Sequence, residues 1–282
     1  MSYHHYRTTG IVLLQKDSGE SDQLFTLYTA DFGKIELLGK AIRKITSKLR
    51  SCINLFYLSE IEFVQGKNQK ILTDAFLLEK FSALRKNLYA LRLFYRFAQI
   101  IDALTPYEET DKKMWALIQN TIRKFQQISL ESTGWTKKEQ EKIKADLVFY
   151  YFLWNFFALL GYFPELYVCA QCAKKLLPQT LFFSPPQGGV ICWQCFSLCK
   201  KEMALKKQSA DNHFLLSSNT EPQKMGKEIF VETIKLLRIF LSQPVEKIQR
   251  LTVNKKELEN MEQISTFYFS FLKELYGYRD FS

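Results

Sequence analysis

Four cysteines fall in two pairs, Cys169 with Cys172 and Cys192 with Cys195, within the stretch CAQCAKKLLPQTLFFSPPQGGVICWQC. The spacing C-x2-C-x19-C-x2-C is that of a tetrahedral zinc site. Two residues between thiols let one tight turn aim both sulfurs at a single ion. The intervening 19 residues are long enough for a hairpin that returns the second pair to the first. SPPQGG supplies the turn, and LFF and VI supply short strand-like pieces. One structural zinc would then replace the hydrophobic core that so small an insert lacks. Catalytic zinc would need an open coordination position with an imidazole or carboxylate nearby, and His4, His5 and His213 are remote in sequence. A thiol redox enzyme is a further alternative, but its dithiol belongs in a βαβ setting that is not evident here. A metal-free, decayed ribbon also remains open. Ala173 follows Cys172 where a ribbon turn often has glycine. Cys199 is a competing ligand by position, and isolated Cys52 reads as a packed core thiol.

The second chemical feature is charge. The chain has 282 residues and a formal net charge of +10, which points to a polyanionic partner, nucleic acid before an anionic membrane surface. The excess concentrates in GKIELLGKAIRKITSKLRS, where Lys34, Lys40, Arg43, Lys44, Lys48 and Arg50 face one acid, Glu36. Such cations would displace condensed counterions from phosphates. Phe32, Phe56, Tyr57 and Phe63 are near enough to stack on bases, although alternation along a strand assigns most of them to a core. An ordinary solvated face is the rival reading of the run.

The elements that must hold these groups change character along the chain. Tyr6–Leu14, Ser21–Thr29, Lys34–Ala41, Leu55–Gln65 and Lys70–Leu78 read as five short strands, with Gly33 in the turn before the third. Five strands joined by tight turns suggest a small OB-fold barrel over residues 1–80. From residue 81 the apolar spacing becomes helical. Helices are expected at Leu84–Leu104, ended by Pro106, at Asp111–Ile128 and around Val148–Leu160. After the cysteine insert at 166–199 they resume at Lys227–Gln243 and Asn254–Tyr278, with Lys206–Lys224 as a loop. The expected division is therefore a barrel at 1–80, a helical body at 81–165 and 200–282, and the insert between them.

Several classes are excluded. MSYHHYRTTG has no apolar signal-peptide core. LVFYYFLWNFFALL is too short to span a bilayer and carries Asn155 near its centre. The chain is thus expected to be cytoplasmic and free of membrane. GKIELLGKA imitates a phosphate-binding loop but has an extra residue between its glycines, and Ala41 where a hydroxyl would hold magnesium. No G-x-S-x-G elbow or H-E-x-x-H helix occurs.

Taken together, DFGKIELLGKAIRK, SKLRSCINLFYLSEIEF, LLGYFPELYVCAQC and FFSPPQGGVICWQC resemble, in order as well as in kind, segments of the RecO family of bacterial recombination mediators. The resemblance runs over roughly residues 6 to 199, and the later helices fit in type. It implies an N-terminal OB-fold, a helical body and a zinc-binding insert. It also implies a non-enzymatic, nucleoid-associated protein that binds single- and double-stranded DNA and anneals complementary strands. With RecR, such a protein helps load RecA on single strands coated by SSB, whose C-terminal tail it also meets. Lys34, Lys40, Arg43 and Lys44 match the family's basic DNA-contacting segment; Lys48 and Arg50 are added on charge alone. AIRK departs from the family's usual Gly-Ala-Arg pattern. Arg85, Lys86, Arg92, Arg96, Lys200 and Lys201 are further cations that would ease repulsion between two strands. An RNA-binding zinc-ribbon protein is the alternative from the same residues.

Overall fold

The computed structural model describes residues 4–131, 138–210, 225–248 and 250–275. It divides into two compact units, Met1–Ala145 and Asp146–Ser282. This is coarser than the division drawn from the sequence, and the cut falls inside a helix.

In the first unit, five strands close into a barrel: β1 (His5–Ser18), β2 (Asp22–Thr29), β3 (Gly33–Gly39), β4 (Leu58–Gln65) and β5 (Lys70–Glu79). Their order around the barrel is β1-β2-β3-β5-β4, with β1 pairing to β4 to complete the ring and β3 meeting β5 in parallel. The expected five-stranded OB-type barrel is therefore present. Alternation explains its core. Phe25, Leu27, Ile35, Leu37, Ile61, Phe63 and Leu72 point inward and are buried, while their strand neighbours face the outer wall. The β2–β3 turn uses Gly33 at φ +61°, and a Cβ there would collide with the carbonyl of Glu109.

Three helices follow in this unit: α1 (Ser82–Lys86), α2 (Leu88–Leu104) and α3 (Lys112–Glu131). The expected helix from Leu84 is in fact two. Asn87 is extended, and its side chain accepts from the amides of Tyr89 and Ala90 at 3.1 Å each, so it caps α2 and interrupts the run. Asp111 does the same for α3, accepting from the amides of Lys113 and Met114.

Helix α4 (Lys138–Leu159) begins well before the expected apolar run. Its latter part lies in the second unit and is apolar on most sides, as a helix buried all round must be. There Trp154 stacks on Tyr268 and meets Phe183 edge-on, and its indole N–H donates to Ser265 Oγ at 3.0 Å. Asn155 donates to the carbonyls of Tyr151 and Phe240 at 2.8 and 2.9 Å, so the amide in the run is satisfied.

The remaining elements are β6 (Leu181–Ser184), β7 (Gly189–Cys192), α5 (Trp193–Ala210), β8 (Lys227–Ile229), α6 (Val231–Ser242), α7 (Val245–Ile248) and α8 (Lys255–Leu275). The sheet order is β7-β6-β8. Two expectations are corrected here. Residues Lys227–Ile229 form an edge strand paired to β6 rather than the start of a helix. The helix leaving the cysteine insert continues to Ala210, so residues 206–210 of the expected loop at Lys206–Lys224 are helical; its remainder, 211–224, lies outside the described residues. Among the described residues no helix is long and apolar enough to cross a membrane.

Candidate functional site

The four paired cysteines converge. The Sγ atoms of Cys169, Cys172, Cys192 and Cys195 all lie within 4.8 Å of one another. Zn–S bonds of about 2.3 Å in a tetrahedron place sulfurs about 3.8 Å apart, so the four need only a small contraction around an ion. Each pair is set by its element. Cys169 enters a tight turn closed by Ala173 N–H donating to the Cys169 carbonyl and Cys169 N–H donating to that of Lys174, both at 2.8 Å. Cys192 ends β7 and Cys195 lies in the first turn of α5, so a strand-to-helix junction aims the second pair.

Cys169 and Cys195 are buried, Cys192 half-buried and Cys172 exposed. Burial opposes ionisation of Cys169, but amide donors from Cys172, Cys192 and Gln171 outweigh it and hold the thiol down to about 6. Burial pushes the Cys195 thiol up, and its thiol neighbours add to this. Amide donors thus favour ionisation at one sulfur, and burial opposes it at another. Four sulfurs with no imidazole or carboxylate in the set make a closed donor group that could hold a soft metal ion. Cys199 lies outside the group; its buried thiol donates to Gln171 Oε1 at 3.2 Å. Cys52 is half-buried, packed against the barrel core from its edge rather than within it.

The turn carries a local cost. Ala173 sits at φ +57°, left-handed backbone that disfavours a residue with a Cβ. Ala173→Gly is expected to stabilise the second unit by about 1 kcal/mol without changing metal content. Thermal unfolding alongside metal analysis checks this; an unchanged midpoint would show that the turn relaxes by another route.

The basic stretch forms the loop between β3 and β4. Its apolar members plug the barrel: Ile42 and Ile53 are buried in the core and Leu49 packs against it. Its polar members point out. Lys40, Arg43, Lys44, Lys48 and Arg50 are all exposed, as is Ile45 at 94%. The Asp22 carboxylate accepts from Ala41 N–H at 2.7 Å, and Arg43 N–H donates to the Ser21 carbonyl at 2.9 Å, which ties the loop to the β1–β2 turn. The Arg43 guanidinium also pairs with Asp17 at 3.2 Å. The run is therefore a cationic rim on an anchored loop.

Lys34 does not belong to it. It occupies an outward position of β3, but that wall is covered by the chain from α2 to α3. Its ammonium is buried, donates to the Asp102 carbonyl at 2.6 Å, lies 3.4 Å from the Asp102 carboxylate and sits 4.2 Å over the Tyr107 ring. Burial lowers its pKa, and Asp102 offsets part of that. Tyr28 stacks on Trp115, and the Tyr107 hydroxyl donates to Glu36 at 3.2 Å along the same wall. The β2–β3 face, on which OB barrels commonly bind oligonucleotides, is thus occupied by the protein's own helices. Lys34→Ala is expected to cost about 3 kcal/mol of stability, because it leaves a cavity and removes the donor to the Asp102 carbonyl and the contact with the Tyr107 ring. Denaturant unfolding reads the loss, and any affinity for nucleic acid should stay within about twofold.

Phe56 and Phe63 are core residues, and Phe32 is half-buried against Phe63 and Tyr6. Tyr57 remains partly open, with Arg85 at 5.1 Å and Lys80 at 5.9 Å over its ring. Sequence reasoning passed over Lys80; only β5 pairing with β4 brings it near Tyr57. Arg85 donates to the Leu55 carbonyl at 2.7 Å, Arg96 is half-buried, and Lys86, Arg92, Lys200 and Lys201 are exposed.

A closed five-stranded barrel followed by helices and a four-thiol hairpin defines a modular protein with a small β domain and a metal-type insert. The family models described as the N-terminal and C-terminal parts of recombination protein O match residues 1–81 and 85–275, and the chain belongs to the RecO family. Among curated relatives it is similar to the DNA repair protein RecO of Dehalococcoides mccartyi strain 195, 27% identical over 259 residues, covering 92% of this chain and 87% of the relative. The DNA repair protein RecO of Roseiflexus sp. strain RS-1 is 27% identical over 267 residues, covering 93% and 88%. That of Pelotomaculum thermopropionicum is 26% identical over 251 residues, covering 89% and 82%. The similarity continues through the C-terminal helices, beyond the segments whose motifs resemble the family.

Proposed function

We propose that this protein is a non-enzymatic DNA-binding factor of recombinational repair. It binds single- and double-stranded DNA, anneals complementary strands and, with RecR, helps place RecA on strands coated by SSB. The observation that carries this reading is the rim of Lys40, Arg43, Lys44, Lys48 and Arg50. These cations are held outward by a loop whose apolar residues are sunk in the barrel. Membership of the RecO family supplies the biological setting.

Two strands repel through their phosphates. A protein that neutralises part of each lowers that repulsion and lets base pairing decide the outcome. The cysteine cluster would hold one structural zinc, which supplies cross-linking of a small hairpin and no bond-making chemistry. Lys34 is withdrawn from the contacting set.

The test is annealing of complementary oligonucleotides coated with SSB. Pairing should be faster with the protein than without it, and the acceleration should fade as salt rises. No acceleration at any salt would remove the annealing function. A preference for matched RNA over DNA would move the reading to RNA.

A further inference from the structure

The cysteine module has an outer surface that the metal does not explain. Trp193 lies between two of the clustered thiols in sequence, at the start of α5, and is 52% exposed. Beneath it, the buried rings of Phe182 and Phe196 stack at 3.7 Å and 9°. The indole leans on both, at 5.8 and 6.4 Å. It is therefore supported on one side and open on the other, with its backbone fixed by Cys192 and Cys195.

Cations share this module with the ring. Lys200 falls seven positions further along α5, on the same helix face and about 10 Å away, with its ammonium 4.8 Å over the Phe196 ring. Lys201 follows it, and Lys174 and Lys175 project from the turn that carries the first thiol pair; all four are exposed. Among the described residues none of the four has a carboxylate within ion-pair distance. Between residues 166 and 202 the acid present is Glu202.

We infer that this face is a second station for single-stranded nucleic acid, where one base stacks on Trp193 while Lys174, Lys175, Lys200 and Lys201 take the flanking phosphates. The inference rests on the DNA-annealing reading and deepens it, because joining two strands calls for two surfaces that hold them. A flat ring open on one face suits any base, whatever the sequence. Unpaired lysines add attraction to phosphate without reading bases.

The experiment compares two fluorescent oligonucleotides of equal length, one with bases and one abasic, binding to the full chain at low salt. Wild-type protein should favour the oligonucleotide with bases. Trp193→Ala should lose that preference, weakening base-dependent binding about tenfold, while its affinity for the abasic strand and its metal content stay unchanged. Trp193→Phe should keep most of the preference. Lys174→Glu with Lys175→Glu should weaken both strands alike.

Trp193→Ala matching wild type on both strands would overturn the stacking station and leave the barrel rim untouched. Wild type binding neither strand would instead overturn the nucleic-acid reading as a whole. A Trp193→Ala that binds both strands normally but loses an acidic, aromatic-ended peptide would assign the face to a peptide and overturn the inference in that way.

Discussion

Replacing Cys195 by Ser is expected to reduce bound zinc from one per chain to less than about a tenth and to lower the unfolding midpoint by about 10 °C. The magnitude follows from where the thiols sit. The apolar cluster of the module consists of Cys169, Phe182, Ile191, Cys195 and Phe196, so two ligands are themselves part of its small core. Without an ion, Cys195 is a buried thiol among three others, and the two pairs are joined through hydrogen bonds such as Cys192 N–H to Cys169 Sγ at 3.4 Å and Ala170 N–H to the Val190 carbonyl at 2.8 Å. Structural zinc contributes about 10–16 kcal/mol in isolated fingers. Only part of that should appear here, because β6 also pairs with β8 and Phe183 packs on Trp154. Cys199→Ser is the control. Its thiol bonds to Gln171 outside the group, so metal content should not change. Wild-type protein purified without metal, or a Cys199 variant that loses it, would overturn the assignment of ligands.

The second large effect concerns the rim. Lys40→Glu combined with Lys44→Glu should weaken single-strand binding about a hundredfold at low salt and leave the unfolding midpoint in place. Both side chains are exposed and make no ion pair among the described residues, so the folded state loses little. Arg43 is a poorer choice because it pairs with Asp17 and helps fix the loop. Each lost phosphate contact should flatten the slope of log affinity against log salt by about 0.7 for a single strand. The double variant should therefore be shallower by about 1.4, whereas Lys34→Ala should keep the full slope. Titrations over a salt series decide it. An unchanged slope would show that this loop does not touch phosphate.

Much of this architecture is legible from residues alone, for physical reasons. Strand alternation, the Gly33 turn and the thiol spacing are local patterns, and each appears where the sequence places it. What the sequence hides is non-local. Lys34 looks like its basic neighbours, and only the packing of Asp102 and Tyr107 onto the outer wall shows why it is buried. Strand β8 is too short to display a period and exists because β6 has a free edge. Helix α4 opens on KEQEKIKAD, whose polar surface carries no apolar signal, so its true start escapes notice. The contrast within the four thiols, with Cys169 favoured toward ionisation by amide donors and Cys195 opposed by burial and its thiol neighbours, depends on amide directions and packing that spacing cannot convey.

The covered β2–β3 wall has one further consequence. With the customary groove filled from within, a polynucleotide resting on the Lys40–Arg50 loop has no trench to sink into. It would be gripped from its backbone side, its Watson–Crick edges left facing outward. Such a shallow hold suits a matchmaker better than a storage protein: the captive chain stays legible to its complement, and the finished duplex can leave.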